Sequence, residues 1–267
     1  MPFLLLRLPC LALEEIVKNW DHKEILFLAE TSQKARRLIS RHTNSYFVKI
    51  TVIDEYFATY IQMFYTDGKH FHTSWRFKTL LPIFYDYERN DVLSCWRQDE
   101  QAVQEILNLL NDILRIELVS FINNSNNACR LVPIAEYVVL KNLKIGRVDW
   151  GWFSGDEEME ERLLMVSKDA TNFKMEKFGI RFDHFHLFKM DRFEIENAEW
   201  MTVDQVIALR NCKKIRLRSV CFGSTDINKI LLEYMENPGE LQELRLSSSQ
   251  IISLREVVTG LNAVEVR

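Results

Sequence analysis

The chain is 267 residues long, enough for one large domain or two. Apolar residues make up 47% of it and aromatics 12%, the composition of a globular protein that can build a sizeable core. The formal net charge of −4 gives no support for a nucleic-acid binder, whose footprint is a basic face.

The opening Phe3-Leu4-Leu5-Leu6 is apolar, but it is too short for a signal peptide, and Arg7 and Pro9 interrupt it. No run in the chain is long enough to span a bilayer, so the expected location is cytoplasmic or nuclear. Leu8-Pro9 opens a helix expected over about residues 10–19, proline being suited to a first helical turn. Leu13, Ile16, Val17 and Trp20 recur at i, i+3, i+4, i+7 and give that helix an apolar stripe. Asp21-His22-Lys23-Glu24 has the form of a capping box and starts a second helix, which carries Ile25, Leu26, Leu28 and Ala29. Thr31-Ser32 caps a third, with Ala35, Leu38 and Ile39 inward and Lys34, Arg36, Arg37 and Arg41 outward. Three short helices in about 35 residues fall below the size at which a core usually stands alone. Leu11, Phe27 and the Leu8-Pro9 pair remain as surplus apolar surface, which implies a partner, either the rest of this chain or another protein.

From Tyr46 to Trp96 the composition turns aromatic and β-branched. Tyr46, Val48, Ile50 and Val52 alternate with Lys49 and Thr51, the period of a half-buried strand. Asp67-Gly68 marks a hairpin between strands at 58–66 and 71–77. A helix is expected over 99–114, on Val103, Ile106, Leu107, Leu110, Ile113 and Leu114. A strand over 116–122, a polar loop at 123–127, a strand over 143–148 and a helix over 159–167 follow; acidic Asp156-Glu157-Glu158 suits the start of that helix.

The last third repeats itself. Arg192–Glu196, Lys213–Arg218, Leu241–Leu246 and Ala263–Val266 all alternate like strands. Thr202-Val203-Asp204-Gln205 and Ser253-Leu254-Arg255-Glu256 are capping boxes between them. A helix over 225–236 carries Ile227, Ile230, Leu231 and Tyr234 on one face, and Asn237-Pro238-Gly239 stops it. The spacing of roughly 20 to 30 residues and the L-x-x-L-x-L of Leu241, Leu244 and Leu246 point to irregular leucine-rich-repeat-like units. The competing possibility is an ordinary α/β domain with short strands.

Chemistry-bearing motifs are few. The cysteines Cys10, Cys95, Cys129, Cys212 and Cys221 are scattered, odd in number and without a C-x-x-C pair, which suits buried free thiols better than disulfides or zinc. His70-Phe71-His72 and Asp183-His184-Phe185-His186 each place two imidazoles on one face of an expected strand, but no third ligand stands at a useful spacing. No phosphate-cradling glycine loop, G-x-S-x-G or H-E-x-x-H occurs. No catalytic residue, metal site or cofactor is expected, and the chain is expected not to be an enzyme.

The order Leu8-Pro9, Leu13, Ile16-Val17, Ile25-Leu26-Phe27-Leu28-Ala29 and Ser32-Gln33-Lys34-Ala35-Arg36-Arg37-Leu38 resembles an F-box. It departs from the family pattern where Arg36-Arg37 replaces the tryptophan often found in the third helix. Farther on, Asn197-Ala198-Glu199-Trp200-Met201-Thr202, Asn211-Cys212-Lys213-Lys214-Ile215 and Thr225–Leu231 are similar to the F-box-associated region of a nematode family. The resemblance implies an α+β and α/β chain in three parts. These are a three-helix F-box over 1–43, an antiparallel β-rich connector over 44–97, and an F-box-associated, leucine-rich-repeat-like α/β domain over 98–267. It implies a substrate-recognition subunit of an SCF-type cullin–RING ubiquitin ligase. Leu8, Pro9, Leu11, Leu13, Ile16, Ile25, Phe27 and Leu28 would meet a Skp-type adaptor and, through it, a cullin.

The target-binding surface follows from strand register. With Ile215, Leu217, Leu244 and Leu246 inward, Lys214, Arg216, Arg218, Glu243 and Arg245 face outward together, bordered by Arg192, Glu194 and Glu196. Such a face either binds an unknown target protein or is plain solvated sheet. Trp150-Gly151-Trp152-Phe153 is a second candidate contact. The alternative function is a leucine-rich-repeat-like interaction protein with no ligase role.

Overall fold

The structure, a computed structural model, describes residues 8–19, 25, 28, 29, 31–43, 47–55, 58–65, 73–78, 100–125, 130–152, 156–177 and 182–261. The chain is a mixed α/β protein and divides into two compact units, residues 1–120 and 121–267.

The first unit begins with α1 (Cys10–Asn19) and α2 (Gln33–Thr43). Ile25, Leu28 and Ala29 between them are also helical, as the sequence predicts, and so is Thr31, which the sequence places in a cap. The expected stripes are inside: Leu13, Val17, Ile25, Ala29, Ala35 and Ile39 are all buried. Strands β1 (Phe47–Glu55), β2 (Ala58–Tyr65) and β3 (Thr73–Lys78) form an antiparallel meander, with β4 (Arg115–Asn123) on the far side of β1. The register Met63↔Thr73 agrees with a hairpin closed near residue 68, although the Asp67-Gly68 turn lies outside the described residues. Val48, Ile50 and Val52 point inward, as their alternation requires.

α3 (Glu100–Ile113) ties the first helices to the rest of that unit. The Arg36 guanidinium meets Asp112 at 3.1 Å, and the buried Thr43 hydroxyl donates to the carbonyls of Ile39 and Ile113. No unit boundary therefore falls at 43/44; helical segment and sheet belong to one body. The 97/98 boundary drawn from the sequence lies outside the described residues.

The second unit is a β-α array. α4 (Leu131–Leu140), β5 (Ile145–Asp149), α5 (Glu157–Ser167), β6 (Asn172–Lys177), β7 (Arg192–Asn197), α6 (Val203–Ala208), β8 (Lys214–Val220), α7 (Ser224–Glu236), β9 (Glu243–Ser248) and α8 (Leu254–Val257) follow in turn. Strands β5 to β9 lie side by side in sequence order, all parallel. Parallel neighbours need a crossover between them, and most of these crossovers are helices. The inward rows read Val148–Phe173–Phe193–Ile215–Leu244 and Met175–Ile195–Leu217–Leu246. Phe173 stacks on Phe193 with ring centroids 5.0 Å apart, and Phe182, Phe185 and Phe188 close the core around them.

Local sequence accounts for several junctions. Thr202 caps α6 through the expected reciprocal box: its hydroxyl accepts from the Gln205 amide at 3.3 Å, and the Gln205 side chain accepts from the Thr202 amide at 2.9 Å. Asp156 caps α5 by accepting from the Met159 amide at 2.9 Å. Gly239 ends the turn after α7 with φ +57°, and a Cβ there would come within 2.4 Å of the Arg210 carbonyl oxygen, so only glycine fits. Asn211-Cys212-Lys213 clasps the preceding turn. The Asn211 amide donates to the His186 carbonyl, the Cys212 thiol to the Phe188 carbonyl, and the Lys213 ammonium reaches Asp191 at 2.7 Å.

Four expectations are corrected. Asp183–His186 is not a strand; it leads into a 3-10 turn, Phe185–Leu187, because Phe182, Phe185 and Phe188 must all reach the same aromatic core. Asn123 is not loop surface but the buried end of β4, its side chain donating to the Trp150 carbonyl at 2.7 Å. Ser253 starts α8 without side-chain capping, since its box is not formed. Cys221 is exposed, whereas Cys212 is buried as expected. The segment 263–266 and the histidines His70 and His72 lie outside the described residues.

Candidate functional site

The outward face of the parallel sheet carries the charged residues singled out in the sequence. Two rows run across the strands: Arg147–Asn172–Arg192–Lys214–Glu243, and Asp149–Lys174–Glu194–Arg216–Arg245. Strand alternation puts every one of these side chains opposite the apolar rows. Lys214, Arg216, Arg218, Glu243 and Arg245 therefore share one face, as predicted.

The face is an ion-pair lattice. Arg192 Nε donates to Glu194 Oε1 at 2.6 Å, and Arg216 Nη1 lies 3.9 Å from the same oxygen. Arg218 Nη1 donates to Glu196 Oε2 at 2.6 Å, and Arg245 Nε donates to Glu243 on its own strand. On the opposite side of the array Asp149 holds Arg147 at 2.6 Å and Lys174 at 3.9 Å. The acids Glu194 and Asp149 sit low, with side chains only 14% and 15% exposed, while the cations stand above them. The basic row on β8 is thus compensated from β7 rather than merely bordered by it; among the described residues Lys214 alone of the β8 cations has no acidic partner. The more open pairs, Arg218–Glu196 and Arg245–Glu243, each contribute only about 0.2–1 kcal/mol.

The residues expected from the sequence to meet an adaptor divide. Leu8, Pro9 and Leu11 are exposed, Leu11 at 77%, and lie together at the start of α1. Leu13 and Ile25 are buried at 2% and 4%, so they hold the helices together and cannot offer a contact surface, which corrects the sequence assignment. Ile16 and Leu28 are half-buried, and Phe27 lies outside the described residues. Helical spacing alone does not say whether a stripe faces the chain or a partner, so the sequence does not separate the two groups.

The Trp150–Trp152 stretch also divides, Phe153 lying outside the described residues. Trp150 is fully buried, stacked on Phe121 with centroids 6.2 Å apart, and its indole donates to the Ser167 hydroxyl at 2.8 Å. Gly151 sits at φ +55°, where a Cβ would come within 2.6 Å of the Asn123 carbonyl oxygen, and Trp152 beyond it is 56% exposed. Among the described residues no group of three or more His, Cys, Asp or Glu side chains could hold a metal ion. His184 and His186 are both exposed with rings 6.0 Å apart. No described helix is long and apolar enough to cross a membrane.

A feature absent from the sequence reading is a groove of about 550 Å³ between α4 and α5, lined by Val139, Leu140, Met165 and Val166 with Glu158 and Glu161 at its rim. α4 escaped notice because it is apolar nearly all round and so shows little 3.6-residue period.

No protein-family model matches the chain. It is similar to the Skn-1 dependent zygotic transcript 15 protein of Caenorhabditis elegans, 23% identical over 185 residues. That match takes in 66% of this chain, which spans about half (53%) of the relative's length. No solved structure matches.

Proposed function

We propose that the chain is a substrate-recognition subunit of an SCF-type ubiquitin ligase, with its N-terminal helices acting as an F-box on a Skp-type adaptor and its sheet face holding the target. The observation that carries this reading is the exposed Leu8, Pro9 and Leu11 cluster on a helical segment whose other described stripe residues are mostly turned inward. Unspent apolar surface at the head of a small helical segment favours a protein partner. The β-α array supports it: parallel strands in sequence order are the arrangement expected of stacked repeat units, whose outward sheet face can bind a partner. The nematode relative agrees with the nematode character of the sequence motifs. The receptor performs no bond chemistry. It raises the local concentration of a target lysine beside the charged conjugating enzyme.

One observation favours a second reading, in which the helices serve only their own fold and recruit no ligase. α2 is fastened to α3 by the Arg36–Asp112 pair and the Thr43 hydrogen bonds, so the helical segment is part of the first unit rather than a detachable module. Capture of a Skp-type adaptor from solution separates the two. The ligase reading expects the full chain to retain adaptor, and the triple variant Leu8→Ala, Pro9→Ala, Leu11→Ala to lose it with an unchanged thermal midpoint. Retention by the variant, or none by the wild type, leaves the second reading standing.

A further inference from the structure

The α4–α5 groove lies within the second unit and is lined by none of the sheet-face charges. Its two walls follow from helical spacing. Glu136, Val139 and Leu140 stand at i, i+3, i+4 on α4; Glu158, Glu161, Arg162 and Met165 stand at i, i+3, i+4, i+7 on α5. Arg162 bridges the walls as a bidentate strut, donating to both Glu136 oxygens at 2.9 and 2.7 Å. Beside that strut the apolar surface is left open: Val139 is 44% and Leu140 76% exposed, over Met165 and Val166. Large apolar side chains at the end of an otherwise buried helix are surplus to the fold.

The rim is acidic. Glu136 is taken up by Arg162, whereas Glu158 and Glu161 are exposed and make no ion pair within 4.0 Å among the described residues. The field of Glu158 reaches the Arg162 guanidinium. The Arg162 guanidinium is held above its usual range first by its hydrogen bond to Glu136 and by that carboxylate's charge, and further by Glu158 and Asp156. Lys168 is the cation at the far end.

We propose that this groove is an interaction surface for a basic amphipathic helix of a partner protein, whose apolar face seats on Val139, Leu140 and Met165 and whose Lys or Arg side chains meet Glu158 and Glu161. α5 offers 11 residues, about 16 Å of wall, which matches three turns of a docked helix. Helix-in-groove recognition uses i, i+3, i+4, i+7 anchors of this kind. The proposal stands whether or not the chain docks an adaptor.

The test uses the full chain and a fluorescein-labelled Leu/Lys peptide of about 18 residues, long enough to hold a helix, with leucines at i, i+3, i+4, i+7. Its Leu/Glu counterpart is the charge control. Fluorescence anisotropy is expected to show binding of the Leu/Lys peptide to the wild type. Glu158→Lys with Glu161→Lys is expected to weaken it about tenfold or more, and the Leu/Glu peptide to bind weaker by a similar factor. Leu140→Asp is expected to remove binding. Glu236→Lys with Glu256→Lys makes the same change in net charge on exposed positions elsewhere and should leave binding intact. All these positions are exposed, so folding is preserved. No binding by the wild type, equal binding of both peptides, or equal loss in the two double variants overturns the proposal. So does self-association of the wild type that Leu140→Asp abolishes, because the occupant would then be a second copy of this chain.

Discussion

Strands β8 and β9 carry nearly the same pattern, Lys-Ile-Arg-Leu-Arg and Glu-Leu-Arg-Leu-Ser, and pair residue for residue from Lys214↔Glu243 to Leu217↔Leu246. Their fates differ. Ile215 and Leu217 are buried at 1% and 0%, while Leu244 and Leu246 are only half-buried. β8 has β7 on one side and β9 on the other, whereas β9 ends the order of the described strands. Alternation in the sequence fixes which face a side chain takes. The number of neighbours decides how much that face is worth, since burial scales with the area that neighbours remove from water.

The same contrast recurs around the two strands. Cys212, before β8, is enclosed, and burial pushes its thiol up to about 12; Cys221, just after β8, is exposed. Thr202 caps the helix leading into β8, while Ser253, beyond β9, starts a helix without capping it.

These pairs can be broken one at a time. Leu217→Ala is expected to destabilise the chain by about 2–5 kcal/mol in a denaturant titration, the range for truncating a fully buried leucine. Leu244→Ala, on β9 in the other inward row and half-buried, is expected to fall clearly below it. Equal losses would mean that β9 is as well covered as β8. The alkaline arm comes next. Below about pH 9 the Cys212 thiol is neutral in the folded and unfolded chain alike, and its shift has no effect on stability. Above that value the unfolded thiol ionises and the buried one does not, so stability falls as pH rises toward about 12. The slope is at most about 1.4 kcal/mol per pH unit for this group. Cys212→Ala should flatten that part of the profile measured by chemical denaturation, and Cys221→Ala should leave it unchanged. Tyr234, also raised by burial, adds to the fall in both variants.

Smaller differences sharpen the comparison. Thr202→Ala removes a formed capping box and is expected to lose about 1 kcal/mol, whereas Ser253→Ala should be near neutral. A loss at Ser253 matching that at Thr202 would show that α8 is capped in solution. Smallest of all, Lys214→Ala should change stability by no more than about 0.5 kcal/mol, as surface substitutions do. A loss as large as that of Leu217→Ala would contradict the register.

Much of the second unit was legible in the residues. The strands at 192–197, 214–220 and 243–248, the stop at Asn237-Pro238-Gly239 and the box at Thr202 each announce themselves through a local rule that tertiary contacts did not override. β6 and α4 carry weaker marks. β6 (Asn-Phe-Lys-Met-Glu-Lys) alternates over only two apolar positions, Phe173 and Met175, and α4 is apolar nearly all round. The histidine pair at 184 and 186 was misplaced because three phenylalanines, distant from the strand pattern, bend that segment into the core.

What the sequence determined by itself is face and order: which side chains point inward on each strand, where helices begin and end, and which charges share the open sheet face. These depend on period and capping, and both act over a few residues. Only the tertiary structure decided occupancy. It turned Leu13 and Ile25 inward and left Leu8, Pro9 and Leu11 out; it set Glu194 and Glu196 under Arg216 and Arg218, so that a row read as basic is compensated; and it brought α4 and α5 together around an open apolar groove. Burial, ion pairing and cavities arise between elements far apart in sequence, and no local pattern encodes the distance between them.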